Sequence, residues 1–397
     1  MPTPAAVAIR RTGASTPCVT NTDAAASSRA RSLRRASARL AGLTTCSSAS
    51  TRHSLLATLA KRSIVPYIRS SAPLNSVSAA EADEARIAIE GNPMSAPSPS
   101  AVPAMPTAII SVKPVVLPAP ERGDDLRVRV SAPVTGSGLP VLVFAHGFGQ
   151  SMSSYDPLVD FWASNGFVVV QPTFLDSRTL GLNPADPRYP DIWRIRVRDV
   201  TRVLDELDRV VAAIPGLGDR IDRDRIAAAG HSWGGQTVGM LLGARVLGAD
   251  EEDMTDPRVK AGVLLATAGR GGDDLTPFAT QNFPFMNPDF DGLTTPTLVV
   301  AGDNDQSHLS TRGPDWFTDA YVYSPGARGL LTVFGGEHSL GGIHGYNAAD
   351  TTDESPERVA FIREATWAYL RSELGIDETA WKDLARATHP IGRIDTR

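Results

Sequence analysis

The sequence GHSWG at residues 230–234 follows directly on the short apolar run Ile226–Ala229. A buried strand that ends in Gly-x-Ser-x-Gly and leads into a helix makes a sharp turn, which presents its serine above the strand. The flanking glycines are needed because side chains at those positions would collide across so tight a turn. We therefore expect Ser232 to lie in strained backbone, with its hydroxyl group exposed and the N–H group of Trp233 beside it.

Charge and cysteine content exclude several function classes. Residues 1–80 contain eleven basic residues and one acidic residue, Asp23, so the formal net charge of −5 divides into +10 for this stretch and −15 for residues 81–397. The acidic body argues against a nucleic-acid partner, because phosphate binding needs a basic face. Cys18 and Cys46 are the only cysteines, which excludes a cysteine nucleophile and a thiolate metal site from residues 81–397. No apolar run approaches the ~20 residues that span a bilayer, so we expect no stable membrane insertion.

Residues 1–107 differ from the rest of the sequence and are expected to form a disordered, basic extension rich in Ala, Ser, Arg and Pro. The stretch Arg29–Arg39 resembles an organellar transit peptide, since it is rich in Arg and Ser and poor in acidic residues. The same composition is typical of translated upstream DNA, in which case the protein begins near Met94 and is cytoplasmic. Organellar targeting by residues 1–93 and a start near Met94 both remain open.

From residue 108 onwards, strand-like and helix-like segments alternate. Continuous apolar runs suit strands covered on both faces, as in a parallel sheet. Two strand-like segments come first, and six such runs follow: Ile109–Val112 and Leu126–Val130, then Val141–Ala145, Phe167–Val170, Ile226–Ala229, Val263–Ala266, Thr297–Ala301 and Leu330–Phe334. Helical segments lie between or after them at Asp156–Asn165, Asp191–Ile214, Gln236–Leu247 and Pro356–Leu374. This alternation predicts an α/β domain over residues 108–397, with a mostly parallel central sheet and helices on both faces.

Two further strand ends carry the partners that a serine nucleophile needs. A serine hydroxyl is a poor nucleophile unless a base accepts its proton and an acid orients that base. GDNDQ at residues 302–306 and GGEHS at residues 335–339 each follow an apolar run. Parallel strands end at one edge of the sheet, where ligands bind. We therefore expect Ser232, Asp305 and His338 to converge there.

Each partner has a competitor in the sequence. Asp303 lies closer to its strand than Asp305, and a turn aspartate often binds backbone amides instead. Asp305 is preferred because the turn must swing away from the strand before a carboxylate can reach the histidine. His344 competes with His338 and is interpreted as a surface-loop residue, whereas His338 lies in a Gly-rich turn that can fold over the sheet.

The segment HGFG at residues 146–149 follows the run Val141–Ala145. A loop at this place commonly supplies the second backbone donor for an oxyanion. Gly147 allows a tight turn, so the N–H group of Phe148 can point towards the same position as that of Trp233. Phe148 and Trp233 are therefore the expected oxyanion-hole residues.

With these motifs in place, residues 108–374 resemble the α/β-hydrolase superfamily. HGFGQS, GHSWGG, AGDND and GGEHS are similar to its oxyanion loop, nucleophile elbow, acid turn and histidine turn. Within the superfamily, the chain resembles the branch of chlorophyllases, platelet-activating-factor acetylhydrolases and polyester hydrolases. The resemblance implies a triad of Ser232, Asp305 and His338, with Phe148 and Trp233 as the hole. Trp233 replaces a residue that is commonly smaller, flexible or charged in that branch, which changes the expected acyl pocket.

The sequence thus predicts a carboxylic ester hydrolase that acts on a small-molecule ester through an acyl-enzyme, with no cofactor and no metal. A lactonase, an amidase or an acyltransferase with the same triad remains an alternative, as does an inactive binding protein on the same fold. The sequence does not set the oligomeric state.

Residues 268–296 are the usual place for a lid in this fold, and here the segment is short, so we expect little or no cap. It carries five large apolar residues: Phe278, Phe283, Phe285, Met286 and Phe290. They are interpreted either as local packing over the sheet or as an apolar wall for an acyl or alkyl chain.

Overall fold

The computed structural model of this protein describes residues 106–183, 185–249, 252–345 and 351–397. The expectations for residues 1–105, which include a start near Met94, a targeting segment and a disordered extension, lie outside the described residues. Across the described ranges, no helix is both long enough and apolar enough to cross a membrane.

A nine-stranded sheet organises the described residues. Its strands are β1 (Ile109–Leu117), β2 (Leu126–Pro133), β3 (Leu139–Ala145), β4 (Val168–Thr173), β5 (Ile221–His231), β7 (Val259–Leu265), β9 (Thr297–Gly302), β10 (Ala327–Val333) and β11 (Gly392–Thr396). The six apolar runs form its parallel centre, while β1, β2 and β11 pair antiparallel at the edges. Across the sheet the strands lie in the order β1-β2-β4-β3-β5-β7-β9-β10-β11. The short strands β6 (Arg245–Val246) and β8 (Pro288–Asp289) form a separate pair. The prediction of an α/β-hydrolase fold with a mostly parallel sheet is confirmed.

Helices cover the two faces of the sheet, as strand order and handedness require. They are α1 (Asp156–Ser164), α2 (Ile192–Asp205), α3 (Leu207–Val211), α4 (Trp233–Leu241), α5 (Pro277–Asn282), α6 (Asp319–Tyr323), α7 (Pro356–Glu373) and α8 (Thr379–Arg386). The chain runs from β3 through α1 to β4, which lies on one side of the β3–β5 pair in the sheet. It runs from β5 through α4 to β7, which lies on the other side of that pair. Because such crossovers are right-handed, α1 and α4 lie on opposite faces. In agreement, α1 packs against α7, and α2 packs against α4.

β3 and β5 are parallel neighbours in the sheet, and the order in which later strands are added changes sides between them: β4 lies beyond β3, whereas β7 lies beyond β5. Loops that leave two adjacent parallel strands towards opposite faces open a crevice at the carboxyl ends of the strands. The HGFG loop follows β3 and the GHSWG turn follows β5. The sheet order therefore brings these two motifs together at the edge where ligands bind.

Two predicted helices differ from the observed ones. The segment Asp191–Ile214 forms α2 and α3 rather than one helix, because the backbone at Glu206 leaves the helical region, with φ −100° and ψ 21°. The segment Gln236–Leu247 begins earlier, at Trp233, and ends at Leu241. Gly243 terminates it with φ 115°, where a side chain would lie 2.2 Å from a backbone oxygen.

Helix α2 buries charged residues as well as apolar ones, although its sequence is amphipathic. Arg196 and Asp199 are both buried, beside the apolar residues Val200 and Val203. The helix is covered on more than one side, by α4 and by β4. An amphipathic pattern identifies a single apolar face, so it did not indicate this second contact.

Helix α7 fixes one face of the sheet, and its buried residues should dominate its contribution to stability. Ile362 is fully buried in the core, whereas Glu364 on the same helix is exposed. We expect Ile362→Ala to lower the free energy of unfolding by about 2–5 kcal/mol, since it removes three buried carbon atoms and leaves a cavity. The control Glu364→Ala should change it by less than about 0.5 kcal/mol. Urea denaturation of both variants measures this, and equal effects would contradict the packing described.

Candidate active site

The turn after β5 holds Ser232 in backbone geometry that few residues adopt. Its φ is 55° and its ψ is −121°, and its N–H group donates to the Leu265 carbonyl at 2.8 Å. The neighbouring backbone explains both glycines. A Cβ atom at Gly230 would lie 2.2 Å from the Gly234 oxygen, and one at Gly234 would lie 2.0 Å from the Ala145 oxygen. The turn is therefore pressed against the end of β3, with no room for side chains.

Ser232, His338 and Asp305 form a continuous hydrogen-bonded chain. His338 Nε2 lies 2.8 Å from Ser232 Oγ, and His338 Nδ1 lies 3.0 Å from Asp305 Oδ2. The Asp305 side chain has no exposed surface, whereas that of His338 is 43% exposed. A carboxylate can only accept, so Nδ1 carries the hydrogen and Nε2 is left to accept the serine proton. The arrangement can activate a serine for nucleophilic attack.

The competing residues lie in other contacts. Asp303 is exposed and accepts the Gly335 N–H group at 2.5 Å, which is the turn-binding role considered for it. His344 is buried, and its ring packs against the rings of Tyr155 and His231 at centroid distances of 4.9 and 4.8 Å. The interpretation of His344 as a surface-loop residue is therefore wrong, because the loop folds inwards over the turn.

The backbone N–H groups of Phe148 and Trp233 differ from those of Gly147 and Gly149 in their hydrogen bonding. Within the residues that the structure describes, neither donates to a protein acceptor, whereas the N–H groups of Gly147 and Gly149 donate to Tyr155 Oη and Asp176 Oδ2. Trp233 begins α4, and the first N–H groups of a helix lack intrahelical acceptors and favour anions. The two aromatic rings lie 5.5 Å apart, and the Phe148 side chain is about half exposed.

A buried chain of hydrogen bonds connects the three loops of the site. His231 Nε2 donates to the His338 carbonyl at 2.8 Å, because a carbonyl can only accept. Burial and the nearby His344 and His338 hold the pKa of His231 well below its usual value, so the ring is neutral. Its Nδ1 atom therefore accepts the Tyr155 hydroxyl at 2.9 Å, and that hydroxyl accepts the Gly147 N–H group at 3.0 Å. Tyr155 was missed in the sequence because it lies in no motif.

His146 is a second buried, neutral histidine at the site. Its Nε2 atom accepts the Phe174 N–H group at 3.0 Å, so its Nδ1 atom donates to the Gly147 carbonyl at 2.7 Å. Burial, followed by the charge of Arg196, lowers its pKa from 6.5 to about 4. The first residue of the HGFG loop is thus held in one tautomer at neutral pH.

Aromatic side chains form one wall beside Ser232. The Trp233 ring stacks on that of Phe285 at 5.2 Å, with an angle of 11° between the planes. Phe283 contacts both rings edge-on, and it also contacts Phe278, which is largely exposed. Of the five apolar residues predicted in this segment, Phe285, Met286 and Phe290 are buried. The interpretation as local packing therefore holds for these three residues, whereas a wall for an acyl or alkyl chain stays a prediction.

The neutral state of His146 should make stability depend on pH. Below pH 6.5 this histidine binds a proton in the unfolded chain but not in the folded protein, until the pH nears its folded pKa of about 4. Between pH 7 and pH 5, the free energy of unfolding of the wild type should therefore fall by about 2 kcal/mol more than that of His146→Gln. The glutamine amide can still accept the Phe174 N–H group. Urea unfolding at both pH values measures this, and other titrating groups cancel in the comparison. Equal losses in the two proteins would show that His146 is not buried neutral.

Within the described ranges, no three side chains of His, Cys, Asp or Glu lie together as a metal-ligand group. No curated protein matches this sequence. A family model described as the alpha/beta hydrolase family matches residues 142–389, which is more than half of the chain and contains all four motifs. This match agrees with the sheet order and with the turn geometry of Ser232. The chain therefore belongs to the alpha/beta hydrolase family, which indicates hydrolase activity on a small-molecule substrate.

Proposed function

We propose that this protein is a serine hydrolase that cleaves carboxylic esters, with Ser232 as nucleophile, His338 as base and Asp305 as the orienting acid. The observation that carries the proposal is the chain from Ser232 Oγ to His338 Nε2 at 2.8 Å and from His338 Nδ1 to Asp305 Oδ2 at 3.0 Å. The complete burial of Asp305 adds support, because a buried carboxylate stabilises the imidazolium that forms during the reaction.

In the proposed reaction, His338 Nε2 takes the proton of Ser232 as Oγ attacks the ester carbonyl. The N–H groups of Phe148 and Trp233 bind the oxyanion, each contributing about 3 kcal/mol to the transition state. Protonated His338 then gives its proton to the leaving alcohol, and an acyl-enzyme remains on Ser232. A water molecule activated by His338 releases the acid and restores the serine. The partial exposure of His338 allows that water to approach.

The aromatic wall favours an ester with an apolar acyl or alkyl group. Phe148 and Phe278 present exposed aromatic surface next to Trp233 and Phe283. Such surface gains free energy when an apolar group covers it. The segment at residues 268–296 holds a 3-10 turn, α5 and the short strand β8, and we expect so short a segment to leave the site open. These features are compatible with the branch of chlorophyllases, acetylhydrolases and polyester hydrolases, and that assignment is part of the proposal.

We place the catalytic domain at residues 108–397. The two edge strands of the sheet support these limits, since β1 begins at Ile109 and β11 ends at Thr396.

Replacement of the nucleophile tests the reaction class. We expect the full-length protein to hydrolyse p-nitrophenyl esters and to be labelled by an active-site phosphonate, and we expect Ser232→Ala to abolish both. The chain-length preference, measured from acetate to palmitate, reports on the aromatic wall. Parallel assays with a lactone, an anilide and an added acceptor alcohol separate the alternatives that use the same triad. A folded wild type with no turnover of any of these and no labelling would instead indicate an inactive binding protein.

The two aspartates of the acid turn can be told apart by matched substitutions. Asp305→Asn should lower kcat by roughly 10³–10⁴-fold, because an amide no longer holds His338 in the required tautomer. Asp303→Asn should change kcat by less than about threefold, since Asp303 only binds the Gly335 amide. Steady-state kinetics on one ester measure both. A larger loss for Asp303→Asn would reverse the assignment.

A further inference from the structure

A buried ion pair lies beneath the HGFG loop. Arg196 of α2 and Asp176, which follows β4, have no exposed side-chain surface, and Nη1 of the arginine lies 2.6 Å from Oδ1 of the aspartate. We propose that Arg196 is a positioning residue that, together with Asp176, holds both backbone donors of the oxyanion hole in place. The inference rests on the proposed function, in which Phe148 and Trp233 supply those donors.

On the loop side, the pair forms hydrogen bonds to the backbone before and after Phe148. Arg196 Nη2 donates a hydrogen bond to the His146 carbonyl oxygen. Asp176 Oδ2 accepts the Gly149 N–H group at 3.1 Å. Because both ends of this short segment are held, the orientation of the Phe148 N–H group between them is fixed.

On the elbow side, the same guanidinium reaches the first turn of α4. Arg196 Nε donates to Thr237 Oγ1 at 3.0 Å, and Thr237 Oγ1 donates to the Trp233 carbonyl at 3.0 Å. The guanidinium carbon also lies 5.1 Å from the centroid of the Trp233 ring. One side chain thus contacts the two segments that must be in register for their N–H groups to converge.

The chemistry of arginine suits this task. A guanidinium offers five donors in a rigid plane, so it can serve Asp176, His146 and Thr237 in three directions, whereas a lysine ammonium is a point charge on a flexible stem. Buried ion pairs contribute little to stability, because desolvation offsets their attraction. A role in holding geometry accounts for such a pair better than a role in stability does.

The protein contains a matched control on the same helix. Arg122 and Asp199 form another buried pair, with Nε and Oδ2 2.9 Å apart, but its arginine donates to the Thr173 carbonyl and to neither segment of the oxyanion hole. Both pairs are almost fully buried. Replacing either pair by apolar side chains of similar volume therefore removes a buried contact between an arginine and an aspartate, and only one replacement affects the hole.

The experiment compares the full-length double variants Arg196→Met/Asp176→Leu and Arg122→Met/Asp199→Leu. We expect the first to lower kcat for a p-nitrophenyl ester and the rate of phosphonate labelling by roughly 10²–10³-fold, as when an oxyanion donor is lost, with KM within about threefold. The second should keep kcat within about threefold of the wild type, and the two double variants should show similar changes in Tm. Arg196→Lys should lower kcat nearly as much as the first double variant does, because a lysine cannot make the three contacts at once. A folded first variant with wild-type kcat, or an equal loss of kcat in the second, would overturn the proposal.

Two further measurements keep the inference independent of folding and of the proposed reaction. If the double variant does not fold, Thr237→Val provides the test, because it removes only the elbow-side hydroxyl. This variant should fold and should lower kcat by roughly tenfold. Amide hydrogen exchange should show faster exchange at Gly149 in Arg196→Met/Asp176→Leu than in the control, whatever the protein hydrolyses. If the wild type cleaves no ester, the proposed function fails and the exchange result alone decides the inference. Unchanged exchange at Gly149 would refute it.

Discussion

The close approach of the turn after β5 to the end of β3 is the constraint on which the rest of the site depends. Gly234 can lie against the Ala145 carbonyl only because it has no Cβ atom, and Gly230 faces Gly234 in the same way. This contact places Ser232 in a backbone conformation with positive φ and brings the start of α4 against the backbone of Ala145 and His146. The sheet order makes the contact possible, because β3 and β5 are neighbours although α1, β4, α2 and α3 separate them in sequence.

Two buried polar networks lie beneath the HGFG loop and the Ser232 turn and hold them in their observed arrangement. One runs from the Gly147 N–H group through Tyr155 and His231 to the His338 carbonyl, and so connects the loop, the elbow and the histidine turn. The other radiates from Arg196. Buried polar groups are costly unless they are paired, but once paired they allow few alternative arrangements. A hydrolytic site that needs its donors and its base at fixed distances benefits from that rigidity.

Much of this architecture could be predicted because it follows from local patterns. Each of the six apolar runs became a strand of the parallel centre, since strands covered on both faces need uninterrupted apolar sequence. The structure differs from the predicted helices where contacts between distant parts of the chain decide the length and the burial of a helix. Helix α4 stops at Leu241 because Gly243 meets the backbone of Gly292, some fifty residues further along the chain. In α2, the charged residues Arg196 and Asp199 are buried where the helix meets a second layer of structure, which its amphipathic sequence does not indicate.

The sequence by itself determined the kind of turn at Ser232, the order of the serine, aspartate and histidine turns, and the strands that each of them follows. These properties depend on backbone sterics and on apolar runs, which short segments contain in full. Only the tertiary structure decided that Asp305 and not Asp303 lies beside His338, that His344 is buried, and that Tyr155 and Arg196 reach the site. Such distances depend on how separate loops fold over one sheet edge, and no local pattern in the chain specifies that packing.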